Sequence, residues 1–339
     1  MQQLLTYDDV LLVPQYSELG TRKDVDLSVQ LDPLIKLSIP IIASPMDTVT
    51  ESAMAIEVSK AGGLGVIHRY NSIEDQAALV HEASMEGTNT VGAAVGASGD
   101  FEERACALFD AGARVLCVDV AHGHHVLVRD ALLRLRGVFA NAVHLMAGNV
   151  ATLEGFNDLA DWGADSIRCG IGTGSICTTR IKTGHGVPAL STIFECAKTH
   201  HDVTIIADGG IREPGDIVKA IAAGADVVML GSMLAGTTEA PGELLHGPNG
   251  RILKNYRGMA SKDAQVEWRG KTSSPEGVSS VMDYRGDVAE VIDDIVGAVK
   301  SGFSYSGARD SIEMRGKARW AKQSSASQVE SSAHIFRTG

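Results

Sequence analysis

Short β-branched apolar runs recur along the chain, each bounded by turn residues and followed by an amphipathic stretch. The runs fall at residues 39–44, 64–68, 90–95, 114–119, 142–147, 164–169, 203–208 and 226–231. Near-continuous apolarity is the mark of strands buried on both faces of a parallel sheet. Helical spacing of apolar positions fills 51–61, 72–85, 101–111 and 214–223 between them. Eight strands alternating with helices predict an α/β fold, a (β/α)8 TIM barrel. A closed barrel leaves no exposed edge, which favours it over a doubly wound open sheet. Three helices run into the same break, KAGGLGVIH, DAGARVLCVD and AAGADVVMLG. A glycine there supplies the left-handed cap that turns a helix back toward the next strand.

Residues 1–38 precede the barrel, and their TYDDVLLVP reads as ordered. Residues 247–285, after the eighth strand, are polar and rich in Gly and Ser. A long segment at the C-terminal face of a barrel predicts an active-site flap. A Ser-rich tail, 323–339, reads as mobile, and the whole of 1–339 as a single catalytic domain.

Composition narrows the function. With 30 Lys+Arg against 42 Asp+Glu the formal net charge is −12, the wrong sign for a general nucleic-acid binder. Any phosphate must therefore be captured by a local site. Five scattered cysteines show no C-x-x-C spacing, so neither a disulfide framework nor a zinc ribbon is indicated. No apolar run approaches the roughly 18 residues that span a bilayer. These features predict a reduced, cytoplasmic protein with no membrane partner.

Four motifs carry chemistry. Asp208-Gly209-Gly210 ends the seventh strand, and Gly231-Ser232 follows the eighth. Loops after these strands are the usual phosphate site of the barrel, with Asp208 placed to accept from a ribose diol. After the sixth strand, GIGTGSICTTR leads a glycine-rich loop to one thiol, Cys177, flanked by hydroxyls and a cation. Such surroundings activate a cysteine nucleophile. Cys106, Cys117, Cys169 and Cys196 lie in apolar contexts and read as structural. Asp119, ending the fourth strand, precedes His122, His124 and His125. No carboxylate or thiol at ligand spacing accompanies these histidines, so they read poorly as a metal site. Tyr256, Arg257, Glu267, Trp268, Arg269 and Glu276 lie in the flap, where they could close over a ligand and bring in an acid or base.

Together TYDDVLLVP, IIASPMDTVTE, GLGVIHRYNSIEDQ, AGNVAT, GIGTGSICTTR, ADGGI, GADVVMLGSMLAGTTEAPGE and YRGMAS resemble the IMP dehydrogenase/GMP reductase family, from about Leu5 to Ala308. The resemblance implies a covalent purine thioimidate on Cys177, with Thr179 and Glu276 as a proton-relay pair. It implies nucleotide contacts from Ser44, Met46, Ser175, Asp208, Gly210, Gly231, Ser232, Tyr256, Gly258 and Met259. Asp119 and Asn149 would face the nicotinamide half of the cofactor. Gly170, Gly172 and Cys177 would offer backbone oxygens to a monovalent cation, usually potassium. A homotetramer is the family's usual assembly.

Two activities share that chemistry. In the reductase, GMP loses ammonia and NADPH delivers hydride, giving IMP. In the dehydrogenase, IMP gives hydride to NAD and the thioimidate is hydrolysed to XMP. HEASMEGTNTVGAAVG runs straight through the point where most dehydrogenases carry a pair of cystathionine-synthase-type modules. Lys182-Thr183-Gly184-His185-Gly186 resembles the reductase K-T-G-x-G, and Glu267-Trp268-Arg269 its E-Y-R. The flap lacks the Arg-Tyr pair whose Arg activates water in dehydrogenases, since Arg269 is followed by Gly270. Against these, Arg69 replaces the Lys typical of reductases, residues 44–51 are dehydrogenase-like, and Thr173 replaces the Pro usual in the cation loop. The expectation is a GMP reductase using NADPH on a purine mononucleotide. A module-less IMP dehydrogenase and a catalytically silent nucleotide sensor are the alternatives.

Overall fold

The computed structural model describes residues 3–88 and 90–331. Eight parallel strands close into a barrel. They are β1 Ile41–Ala43, β2 Leu64–Ile67, β3 Gly92–Val95, β4 Val115–Asp119, β5 His144–Val150, β6 Ser166–Cys169, β7 Thr204–Asp208 and β8 Val227–Leu230. Strand β8 pairs back onto β1 with Val228 opposite Ile41. Each strand falls on one of the eight apolar runs. The surrounding helices are α1 Ser52–Lys60, α2 Ile73–Met85, α3 Phe101–Asp110, α4 Val126–Phe139, α5 Leu153–Asp161, α6 Ala189–Cys196, α7 Pro214–Ala223 and α8 Val288–Ser306.

Alternation along each strand splits the core in two. On β4, Leu116 and Val118 join the cluster that includes the helices, whereas Val115 and Cys117 belong to the barrel interior. The interior is completed from outside the barrel. A hairpin of Val29–Asp32 and Ile35–Leu37 inserts Val29, Leu31, Ile35 and Leu37 against Ile42, Val66, Met146 and Val227. Asp32 also meets the buried His144, the first residue of β5, at 2.7 Å. The segment before the barrel thus seals its N-terminal end, leaving the C-terminal end open to ligand. The predicted glycine caps form: Gly62, Gly112 and Gly224 follow α1, α3 and α7 with φ of +90°, +117° and +122°.

The flap differs from the irregular loop its composition suggests. Leu245–His246, Ile252–Arg257 and Ser279–Asp283 form a three-stranded antiparallel sheet, with a helix, Lys262–Arg269, between the last two strands. The alternation is hidden because one inward position is a lysine. Lys254 is only 3% exposed, and its amine donates to the carbonyls of Thr237 at 3.0 Å and Thr238 at 3.3 Å. Burial holds that amine below the usual lysine pKa. At the far end of the chain, Trp320–Lys322 pairs with Val10–Leu12, and Ser325–Glu330 forms a short helix. The rest of the predicted tail, 332–339, lies outside the described residues. Among the described residues no helix is long and apolar enough to cross a membrane.

Candidate active site

At the open end of the barrel the segments singled out by sequence converge. Asp208 closes β7 and leads into Gly209 and Gly210, whose φ angles are +87° and +78°. Gly231 and Ser232 follow β8. A methyl group added at Gly231 would stand 3.2 Å from both the Met46 sulfur and the Tyr256 hydroxyl. The β1 loop, the β8 loop and the flap therefore meet at that point. With Ser44, Ser175 and Cys177, these residues line a cavity of about 430 Å³. That volume suits a small-molecule ligand. Tyr7, from the segment before the barrel, forms part of its wall, and its buried phenol is pushed well above the usual range.

The loop after β6 lies directly on the end of β7. Thr173 donates its hydroxyl proton to the Asp208 carbonyl at 3.0 Å. A methyl group on Gly170, at φ +156°, would come within 1.9 Å of that same oxygen. Backbone cannot yield there. Gly170→Ala is expected to cost on the order of 3 kcal/mol, read as a lowered denaturant midpoint.

Cys177 closes this loop. Its thiol donates to the Thr179 hydroxyl at 3.1 Å, and Thr179 donates to Oε2 of Glu276 at 2.8 Å. Glu276 arrives from the flap, and backbone pairing fixes it. The Thr178 N–H donates to the Glu276 carbonyl at 2.8 Å, the Val278 N–H to the Ile176 carbonyl at 3.1 Å, and Cys177 bridges Gly277. A thiol, a hydroxyl and a carboxylate thus form one proton path. Cys177 stands where the first cavity opens into a second of about 470 Å³. The second cavity brings in Asp119, Asn149, Thr179, Gly258, Met259 and Glu276. All the residues named for nucleotide, cofactor and catalysis therefore lie around these two connected spaces. Gly172 lines both, and Gly170 lines the second.

The other thiols are unlike Cys177. Burial pushes Cys117 up to about 12 and Cys169 well above its ordinary value. Cys196 is fully buried, and Cys106 packs half-buried against the outer core. The histidines after β4 take separate partners, although the His122 and His124 rings meet edge to face with centroids 6.5 Å apart. His124 meets Asp158 at 2.7 Å, His125 accepts the Leu127 N–H at 3.1 Å, and His122 faces a side cavity.

Two features escaped the sequence reading. Arg168 is a buried arginine inside a barrel strand, visible as the charged residue in SIRC. The second is a clasp on the flap. Trp268 stacks on Tyr70 with centroids 4.2 Å apart and planes 13° from parallel. Beside it, Arg257 binds Asp47 at 2.7 Å and Glu267 at 2.6 Å. An aromatic stack is worth about 1 kcal/mol, roughly a fivefold shift in an equilibrium. Trp268→Ala should therefore let trypsin nick the flap about fivefold faster.

Comparison with known proteins identifies the family and the fold. The sequence profile described as the IMP dehydrogenase / GMP reductase domain matches residues 4–334. A GMP reductase from Leishmania major is 34% identical, covering 97% of this chain and 96% of its own. An inosine-5'-monophosphate dehydrogenase from Nitrosopumilus maritimus (strain SCM1) is 32% identical, covering 97% and 98%. Among solved structures, a cysteine-to-alanine variant of the Trypanosoma brucei GMP reductase, in complex with guanosine 5'-monophosphate, superposes with a TM-score of 0.94. It is 32% identical and covers 99% of each chain. The two sequence alignments run to 475 and 467 positions against a chain of 339, so at least 475 − 339 = 136 and 467 − 339 = 128 positions hold relative residues facing a gap. A reductase and a dehydrogenase both carry this extra length. Its absence here does not separate the two activities.

Proposed function

The chain belongs to the IMP dehydrogenase/GMP reductase family of oxidoreductases, and from that premise we propose that it is the reductase, converting GMP to IMP and ammonia with NADPH. The observation that carries this reading is the hydrogen-bonded path from Cys177 through Thr179 to Glu276, 3.1 and 2.8 Å, with the flap arginines Arg257 and Arg269 held away from Cys177. Arg269 lies over Trp268 at 4.3 Å and lines a side cavity rather than the space at Cys177. Arg257 is taken by Asp47 and Glu267. A general base must lie within hydrogen-bond reach of the proton it removes.

In this reading Asp208, Gly209, Gly210, Gly231 and Ser232, with Ser175 and Tyr256, hold the ribose and phosphate of GMP. Ser44, Met46, Gly258 and Met259 hold its base. The Cys177 sulfur bonds to carbon 2 of the purine, and its proton passes to Thr179 and Glu276. That pair returns a proton to the amine on carbon 2, which leaves as ammonia. NADPH, when bound, supplies the hydride that carbon 2 then receives. The sulfur–carbon bond breaks, the thiol is restored and IMP departs. The balance is GMP, NADPH and two protons in, against IMP, NADP and ammonium out.

The second cavity fits the nicotinamide half, with Asp119 and Asn149 on its wall beside Cys177. The donor set also fits potassium, since Gly170, Gly172 and Cys177 would offer neutral backbone oxygens of the kind that replace its hydration shell. The Gly170 carbonyl accepts the Asn149 amide at 2.8 Å and keeps a second lone pair for an ion. The chain acts here as a single catalytic domain with 247–285 as its flap.

The test is nicotinamide absorbance in potassium buffer, with GMP plus NADPH and separately with IMP plus NAD. Cofactor oxidation with GMP supports the reductase. NADH formation with XMP from IMP replaces it with the dehydrogenase, and binding without turnover in either assay replaces it with the nucleotide sensor.

A further inference from the structure

We propose that Arg168 is a positioning residue that aims the carboxylates of both nucleotide subsites, Asp208 for the substrate and Asp119 for the dinucleotide. The inference rests on the reductase reading and adds to it a residue shared by the two subsites. Arg168 lies on β6, opposite Ile206 on β7 and Gly148 on β5. Gly148 makes room for it, since a methyl group there would stand 2.6 Å from the Arg168 Cβ. The side chain is 7% exposed. A buried cation is costly unless paired and hydrogen-bonded, and each nitrogen of this one donates to a carboxylate. Nε and Nη2 donate to Oδ2 of Asp208 at 3.0 and 2.9 Å, while Nη1 donates to Oδ1 of Asp119. Nη1 also lies 3.5 Å from the Cys117 sulfur.

The pattern on the acceptors is informative. Oδ2 of Asp208 receives both Arg168 donors and the Asn149 amide at 2.7 Å. Oδ1 of Asp208 has no hydrogen-bond partner among the described residues, although Asp208 lines both cavities. Asp119 gives Oδ1 to Arg168, while its Oδ2 lies 3.9 Å from Arg69 Nε. One rigid guanidinium therefore occupies one oxygen of each carboxylate, leaving Oδ1 of Asp208 and Oδ2 of Asp119 available to a ligand hydroxyl. Lysine keeps the charge but presents its three donors from one nitrogen on a flexible stem, so it cannot hold both carboxylates in the fixed geometry of a planar guanidinium.

The experiment is equilibrium binding of GMP alone and of NADPH alone, by calorimetry, to protein carrying Cys177→Ser so that no turnover intervenes. Arg168→Lys in that background is expected to weaken both ligands about tenfold, with the thermal midpoint tracked alongside. Steady-state kinetics of Arg168→Lys with Cys177 intact should show both KM values raised and kcat within a few-fold of the parent. Asp208→Asn checks the same coupling with Arg168 left in place. By loosening the shared guanidinium it should weaken NADPH as well as GMP. A loss confined to one ligand, or a kcat loss with both KM values unchanged, overturns the proposal. Failure of the Arg168-intact protein to bind NADPH at all would instead overturn the reductase reading and this inference with it.

Discussion

Cys177→Ser is expected to lower turnover on the order of 10⁴-fold or more while leaving GMP affinity within about threefold. The serine hydroxyl keeps the hydrogen bond that the thiol makes to Thr179 at 3.1 Å, so the cavity walls stay in place. What is lost is the thiolate. A hydroxyl is a weak nucleophile at its own pKa, whereas a thiol ionises readily and is intrinsically far more nucleophilic. The contacts assigned to ribose and phosphate come from β7, β8 and the flap rather than from the sulfur. Single-turnover kinetics beside calorimetric titration with GMP separates the two quantities. A variant that loses binding together with turnover would make Cys177 a structural residue.

Glu276→Gln is the second large effect. The amide retains the shape of the carboxylate and can still accept from Thr179, but it cannot carry a proton. Removing a positioned acid or base costs 10²- to 10⁴-fold, and a loss of about 10³-fold in ammonia release is expected. Hydride exchange between IMP and the oxidised cofactor still passes the Cys177 proton to this pair but delivers none to a leaving amine, so its loss should be at least about tenfold smaller than that of ammonia release. Following ammonia in one assay and cofactor absorbance in the other reads this split. Equal loss in both would show that Glu276 does not deliver the proton to the leaving amine.

The barrel was legible because its strands are buried on both faces, so the apolar runs could be counted directly. Glycines at positive φ, such as Gly62 and Gly224, marked the turns between units. The site was legible where chemistry sits at a strand end or in the glycine loop, as with Asp208, Gly231 and Cys177. It was less so where a residue works from an unexpected place. Arg168 lies within a strand that otherwise reads as apolar, and the two carboxylates at the ends of β4 and β7 explain its presence. Lys254 reads as a surface residue, yet its amine satisfies carbonyls beneath the flap sheet, so the strand there looked like loop. The clasp of Trp268 on Tyr70 joins segments far apart in sequence, and spacing carries no signal for it. The hairpin at 29–37 packs into the barrel interior for the same reason of distance.

The central claim is that Cys177 displaces the amine of GMP and holds the purine covalently. Incubating the protein with GMP and oxidised cofactor, which has no hydride to give, and quenching in acid tests it most directly. Intact mass and free ammonia are then measured together. The account predicts purine nucleotide attached at Cys177, an equal amount of ammonia, and clearance of the adduct to IMP when NADPH is added before the quench. No adduct and no ammonia from GMP, with XMP formed from IMP and NAD, would contradict it.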